Sequence, residues 1–257
     1  MPVVNELLTQ LGGLSEKTRR NKDPYGHLFC NEAGLSLSVP LLERRRQEAQ
    51  GGIGLVIGTG GIFSLLPSLG LDGVIMVDIN PAVLEFSQHV GEAIKNTQTP
   101  WQAEGVIFDY DSPGNFPAQM NIKNRELYVH SFFETKFTDE VRNFGKYHWR
   151  NLGRFPLAKK KTEETPIVYV TADVTNPLFG QRLGNALSHF GQTLSYVNFS
   201  NIHHFPKSLD FVDNLPVQES TTIQFSSFEG VAIEMDCPRV HIAASMEDYK
   251  ARTSKDR

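Results

Sequence analysis

The stretch LVIGTGGIFS (Leu55–Ser64) and the VIMVDIN that follows it (Val74–Asn80) decide how this chain folds. Ile53–Ile57 is short and almost wholly apolar, as a strand covered on both faces is. It runs into Gly58-Thr59-Gly60-Gly61, a turn where glycine lets the backbone bend and lets a ligand come close. Ile62–Leu69 reads as a short helix in spite of Pro67, with free backbone N–H groups at its start. Val74–Val77 is a second apolar strand and ends in Asp78, 20 residues after Gly58. In an open α/β sheet, adjacent parallel strands end on one rim. That rim places the Asp78 carboxylate beside the glycine turn, where it can accept hydrogen bonds from the vicinal hydroxyls of a ribose.

The alternation extends outward from there. Pro81 opens a helix at its favoured first position, running to about Lys95. After a break, Ile167–Val170 is a strand ending in Thr171-Ala172-Asp173, and Pro177–Phe190 is a helix. Leu194–Phe199 is the next strand, ending at Ser200-Asn201, and Pro206–Asn214 is a short helix or loop. Three further strands, 221–225, 231–235 and 240–243, close the pattern, and residues after Glu247 read as frayed. The expected fold is a three-layer α/β domain over 53–247. Its mostly parallel sheet has seven strands and ends in an antiparallel hairpin. Residues 1–52 read as a helical cap, with a short helix over Asn5–Leu11 and a longer one over Leu41–Gln50, and 248–257 as a tail. Residues 97–163 read as an insertion or lid, with loop signals at Thr99-Pro100 and Asp111-Ser112-Pro113-Gly114, a helix over 139–152 and a charged loop at Lys159-Lys160-Lys161.

Composition narrows the function classes. The chain has 257 residues, 40% hydrophobic and 21% charged, which permits a sizeable core. A net charge of -4 argues against a general polyanion binder, though not against a local basic face. Two cysteines, Cys30 and Cys237, make neither a disulfide framework nor a zinc site, so no metal is expected and a reduced, cytoplasmic setting is. Gly51–Leu71 carries no charge over 21 residues, but its seven glycines and Pro67, with a second apolar run ending in Asp78, fit two short strands around a glycine-rich turn better than a membrane span.

Together these residues resemble the class I S-adenosylmethionine-dependent methyltransferase superfamily, whose sheet has seven strands. The resemblance covers about 53–95 and 166–245. It implies S-adenosylmethionine as cofactor and an SN2 methyl transfer to an acceptor it does not identify: small molecule, protein or RNA. It assigns Gly58, Thr59, Gly60 and Gly61 to the methionine end of the cofactor. Asp78, with Ile79 beside it, takes the ribose; Asp173 and Val174 take the adenine. Asn198, Ser200 and Asn201 match the residues after the fourth strand that face the transferred methyl. Asp109, in VIFDYD, is an alternative adenine acid at a more ordinary distance from Asp78. His203 and His204, just past the fourth strand, are the candidate bases if the acceptor must lose a proton.

Other readings stay open. The same fold could transfer an aminopropyl or aminocarboxypropyl group, with Asp109 and Asp111 as an acidic pair near a substrate amine. A nicotinamide dehydrogenase is weakened by Phe63, which stands where a dinucleotide fingerprint needs its third glycine. An inactive domain could serve as an interaction module. Arg142, Lys146, Arg150 and Arg154 recur every four residues, so one helix would line them up as a face for an acidic or phosphorylated partner or as a solvated stripe. Asp173 could also order a turn, and Asp78 or Asn80 could cap a helix.

Overall fold

The computed structural model describes residues 2–16, 35–48, 51–59, 61–109, 134–199, 208–227, 239–243 and 245–253. Six strands form one sheet: β1 (Ile53–Ile57), β2 (Gly73–Asp78), β3 (Ile167–Thr171), β4 (Leu194–Asn198), β5 (Val217–Ser227) and β6 (Arg239–Ala243). Their order is β3-β2-β1-β4-β5-β6. The first five are parallel, and β6 is antiparallel to β5. The sheet therefore has six strands among the described residues rather than seven. The expected strand at 231–235 lies outside them. The order reverses between β1 and β4, and the C-terminal rim at that point is where open α/β sheets bind their ligands.

Alternation along the strands builds two cores. On one face Val56, Met76 and Tyr196 pack under α2 (Leu35–Glu48), α3 (Ile62–Leu69), α4 (Pro81–Asn96) and α5 (Pro100–Ile107). On the other, Leu55, Ile57, Ile75, Val77 and Val197 pack under α1 (Pro2–Gly12). The helices that follow β3, β4 and β6 cover that face as well. Each fully buried aliphatic side chain contributes roughly 1.5–3 kcal/mol, so continuous apolar strands are the main driving force for this arrangement. The residues after α1 shield the edge strand near its C-terminal end. Glu16 N–H donates to the Thr171 carbonyl at 2.7 Å, and Thr171 N–H to Ser15 Oγ at 3.3 Å.

The described part of 97–163 belongs to the first helical layer. It contains α5, α6 (Glu134–Phe144) and α7 (Phe155–Glu164). Phe137, Phe144, Trp149, Phe155 and Ala158 share one core with α3 and α4. Several expectations change here. Thr99-Pro100, a loop signal in sequence, is the N-cap and first residue of α5, closed by a capping box with Gln102. The triple lysine is helical, supported by Lys159–Glu163 and Lys160–Glu164 pairs one turn apart. The helix expected over 139–152 ends at Phe144, because Gly145 takes a left-handed φ of 54° and the chain turns. At the other end of the chain, α10 (Met246–Thr253) replaces the frayed tail, since Tyr249 is buried against Phe199 and Phe225.

Between β3 and β5 lie α8 (Pro177–His189) and α9 (Ser208–Asp213), both on the second face. Gly51–Leu71 folds as β1, the glycine turn and α3. No helix among the described residues is long and apolar enough to cross a membrane.

Candidate nucleoside site

The glycine turn begins where β1 ends. Gly58 has φ 73° and Gly61 φ 59°, backbone conformations that L side chains rarely adopt. Gly58 N–H donates to the Val77 carbonyl at 2.9 Å, which carries the β1–β2 ladder one residue past the strand. Ile62 N–H donates to the Thr59 carbonyl at 3.1 Å and closes the turn into α3. Gly60 lies outside the described residues. Phe63 is buried, with its ring against Gly91 of α4; a Cβ at Gly91 would lie 3.0 Å from it. A small residue on α4 thus makes room for a large one on α3, the reverse of the close helix–strand packing a dinucleotide fingerprint uses.

Asp78 ends β2 on the same rim. Its Oδ2 lies 3.7 Å from where a Cβ on Gly58 would stand, so the carboxylate is turned toward the glycine bend. Its Oδ1 accepts from Asn80 N–H at 2.7 Å. Burial pushes its pKa up from 3.8 to about 6, and the Asn80 N–H only partly offsets this. No basic side chain among the described residues takes part in that shift. The helix-capping role belongs to Asn80, whose side chain accepts from Ala82 N–H ahead of Pro81. Asp78 is therefore a carboxylate held at a strand end without a counter-charge among the described residues and without a cap to form. Ile79 beside it is 50% exposed, unusual for an isoleucine at a strand end.

The neighbouring strand brings Asp173 to the same rim. Thr171 pairs with Asp78, and Ala172 N–H donates to the Asp78 carbonyl at 3.0 Å. Asp173 Oδ1 accepts from both Thr175 N–H (2.8 Å) and Thr175 Oγ1 (2.7 Å), so one carboxyl oxygen orders the turn before α8. Asn176 caps that helix. Val174 packs against the second-face core. Asn198 is fully buried in β4, in register with Val56 and with Gln224. It lies one level below the rim on the α3 side of the sheet. Tyr196 donates to Gln224 Oε1 at 3.2 Å beside it, so this part of the sheet carries buried polar groups. Asp109 follows α5 rather than a strand and lines a shallow cleft with Asn96, Thr97 and Gln102. Ser200, Asn201, His203 and His204 lie outside the described residues, as does Asp111.

No protein-family model matches the chain, and no curated protein does. Solved structures give a distant likeness. Two structures of the rRNA methyltransferase aviRa from Streptomyces viridochromogenes align with it, each at a TM-score of 0.36 and 17% identity. The first alignment covers 83% of this chain and 85% of that one; the second covers 81% and 82%.

The four basic residues do not form a stripe, because the helix that would align them ends at Phe144. Arg142 pairs with Asp139 at 2.7 Å, Arg150 with Glu104 at 2.7 Å and Arg154 with Glu43 at 3.4 Å. Lys146 stands over the Tyr147 ring at 5.1 Å. The three guanidinium groups thus meet carboxylates of their own chain, and Arg150 and Arg154 tie this segment to α5 and α2. Arg150 also covers the Phe137 ring at 5.6 Å. Arg150→Glu sets a like charge opposite Glu104. It is expected to lower stability by about 1 kcal/mol, read as a lower urea midpoint.

The sequence reading missed one pair. His148 Nε2 lies 3.1 Å from Glu140 Oε1, and both side chains are buried. Glu140 lines a pocket with Thr59 and Gly61 of the glycine turn. On one continuous helix, residues eight apart stand two turns apart and cannot touch. Only the reversal at Gly145 brings them together, and the left-handed glycine there was the available signal.

Proposed function

We propose that this chain is a methyltransferase that takes its methyl group from S-adenosylmethionine. The observation that carries the reading is the Asp78 carboxylate, turned toward the left-handed Gly58, desolvated and without a cationic partner among the described residues. A buried carboxylate in that state is unfavourable unless a ligand uses it, and vicinal ribose hydroxyls supply two donors. Gly58, Thr59 and Gly61 leave backbone room for the methionine end, to which the resemblance also assigns Gly60. Ile79 offers an apolar surface to the purine, and Asp173 keeps a carboxyl oxygen beyond the one bound by Thr175 for its amino group. Asn198 ends β4 on this side of the sheet, and the resemblance assigns Ser200 and Asn201 after it to the methyl-facing side, with His203 and His204 as candidate bases. The segment from α6 to Trp149 covers the glycine turn from one side and acts as the lid.

The sulfonium supplies an electrophilic methyl when bound. The chain's own part is to hold it, aim the acceptor's lone pair in line with it and keep water out. The sheet order fits this reading, since ligands of open α/β sheets sit where the strand order reverses. Phe63 packed on Gly91 speaks against the nicotinamide alternative.

Calorimetry tests the proposal. S-adenosylhomocysteine is expected to bind at micromolar level, and Asp78→Ala to weaken it about 100-fold by removing two charge-assisted hydrogen bonds. Binding of NADH in its place would favour the dehydrogenase, and no nucleoside binding would leave an interaction module.

A further inference from the structure

We propose that the cleft between the end of α4 and α5 binds a neutral carbohydrate, with the indole of Trp101 as the platform on which a sugar ring lies. The cleft has a volume of about 510 Å³, room for a disaccharide. Asn96, Gln98, Gln102, Gly105, Val106 and Asp109 line it. Its lining includes no residue of the glycine turn and neither Asp78 nor Asp173, so it is a site apart from the nucleoside site.

Gly105 gives the first indication of an occupant. It stands within α5, where glycine weakens a helix relative to alanine, and it is exposed. A Cβ there would meet nothing within 4 Å among the described residues, and the backbone at Gly105 is not left-handed. Neither packing nor backbone conformation therefore asks for a glycine. The missing side chain leaves the floor of the cleft bare. Trp101 stands one turn earlier on the same helix face and is 56% exposed, so the indole borders that floor. A flat apolar ligand face laid on the indole would recover the burial free energy that the ring forgoes in water.

The polar groups decide the class of ligand. The lining carries three carboxamides, one carboxylate and no basic side chain. Gln102 Oε1 accepts from Gln98 N–H at 3.0 Å and Thr99 N–H at 3.1 Å, which fixes the side chain and leaves Nε2 to donate elsewhere. Asn96 Nδ2 donates to Glu92 Oε2 at 3.5 Å, which leaves its oxygen to accept. Amides held in place, with donors and acceptors side by side, match hydroxyl groups that both donate and accept. The nearby lysines are already engaged: Lys95 pairs with Glu92 at 2.9 Å, and Lys159 donates to the Thr97 carbonyl at 2.8 Å and pairs with Glu163 at 3.5 Å. A phosphate or sulfate group thus finds no cation to meet it among the lining residues, which disfavours a nucleic acid or an anionic glycan. The C–H face of a neutral sugar suits the electron-rich face of an indole.

The full-length chain, labelled and applied to an array of neutral, sulfated and sialylated oligosaccharides and single-stranded oligonucleotides, tests this. Retention on neutral hexose oligosaccharides is expected, and added salt should not weaken it. Trp101→Ala removes the platform and should weaken the retained glycan about tenfold. Gly105→Gln fills the floor and should weaken it at least as much. Glutamine is the better helix former, so the urea midpoint of Gly105→Gln should hold or rise while binding falls. Trp101 is exposed, and its replacement leaves the core intact, so that variant decides the matter even if the other folds poorly. Retention of no neutral glycan would overturn the proposal, as would equal retention of Trp101→Ala and wild type. A preference for sulfated glycans or oligonucleotides that fades with salt would overturn it too, because the contact would then rest on charge. S-adenosylhomocysteine, titrated separately by calorimetry, reports on the other site, so failure of the nucleoside reading would leave this result standing.

Discussion

Asp78→Asn is expected to make the ligand-free protein more stable at pH 8 while removing its affinity for a nucleoside. The Asp78 pKa rises from 3.8 to about 6 because burial penalises the charged form more than the Asn80 N–H favours it. Between these two values the folded state holds a proton that the unfolded chain has released. The group's stabilising contribution is therefore complete below about pH 4 and is lost as pH rises through 6. Above that, the ionised carboxylate disfavours folding by up to about 3 kcal/mol, less where water reaches the rim. Asparagine carries no charge and keeps an oxygen for the Asn80 N–H. Urea denaturation should show the variant ahead at pH 8, with the difference shrinking toward pH 4. The wild type's affinity for S-adenosylhomocysteine should fall about tenfold per pH unit below 6, because the protonated acid no longer accepts from both ribose hydroxyls. A variant less stable than wild type at pH 8 would mean that the carboxylate serves the fold and not a ligand.

That opposition between stability and binding was partly legible in the sequence. The apolar runs of β1 and β2 could be read because a strand buried on both faces has no polar position to blur it. The Asn80-Pro81 pair marked the start of α4 because the cap and the first proline are chemically distinct. The same grammar failed at Thr99-Pro100, which reads as a turn until Gln102 is seen to complete the capping box. Leu35–Glu48 starts six residues before the expected Leu41 because the helix runs through Pro40, a position that sequence rules treat as a break. The Lys159-Lys160-Lys161 run looks repulsive in isolation, but it sits on a helix anchored by buried Phe155, Ala158 and Thr162 and meets its glutamates one turn on. Glu140 and His148 could not be paired from spacing at all, since their meeting depends on one left-handed glycine. The reading of Asp173 as a residue that orders a turn is met: one of its oxygens accepts from both Thr175 N–H and Thr175 Oγ1.

A second large effect is expected from Gly184→Ala, on the far face of the sheet. Gly180 and Gly184 lie one turn apart on α8, and each lowers intrinsic helix stability by about 1 kcal/mol relative to alanine. Their use there follows from the approach of the next helix. A Cβ on Gly184 would lie 2.3 Å from the Asn214 carbonyl oxygen, just past α9, and one on Gly180 would lie 3.1 Å from Phe211. Backbone cannot rotate away as a side chain can, so α9 must move as a body. That movement would disturb the stacked Phe179 and Phe211 rings, 5.8 Å apart and nearly parallel. It would also pull on Pro216, whose carbonyl accepts from Leu194 N–H at 3.1 Å where β4 and β5 begin. Overpacking of this kind outweighs the gain in helix propensity, and a net loss of about 3 kcal/mol is expected in urea denaturation. Gly180→Ala, facing a gap a few tenths of an ångström too small, should lose less than Gly184→Ala. Since β4 carries Asn198 toward the rim, the folded fraction of Gly184→Ala should also bind S-adenosylhomocysteine more weakly than wild type. Unchanged stability in Gly184→Ala would mean that α8 and α9 do not meet there, and would remove the physical link between this helix pair and the rim of the sheet.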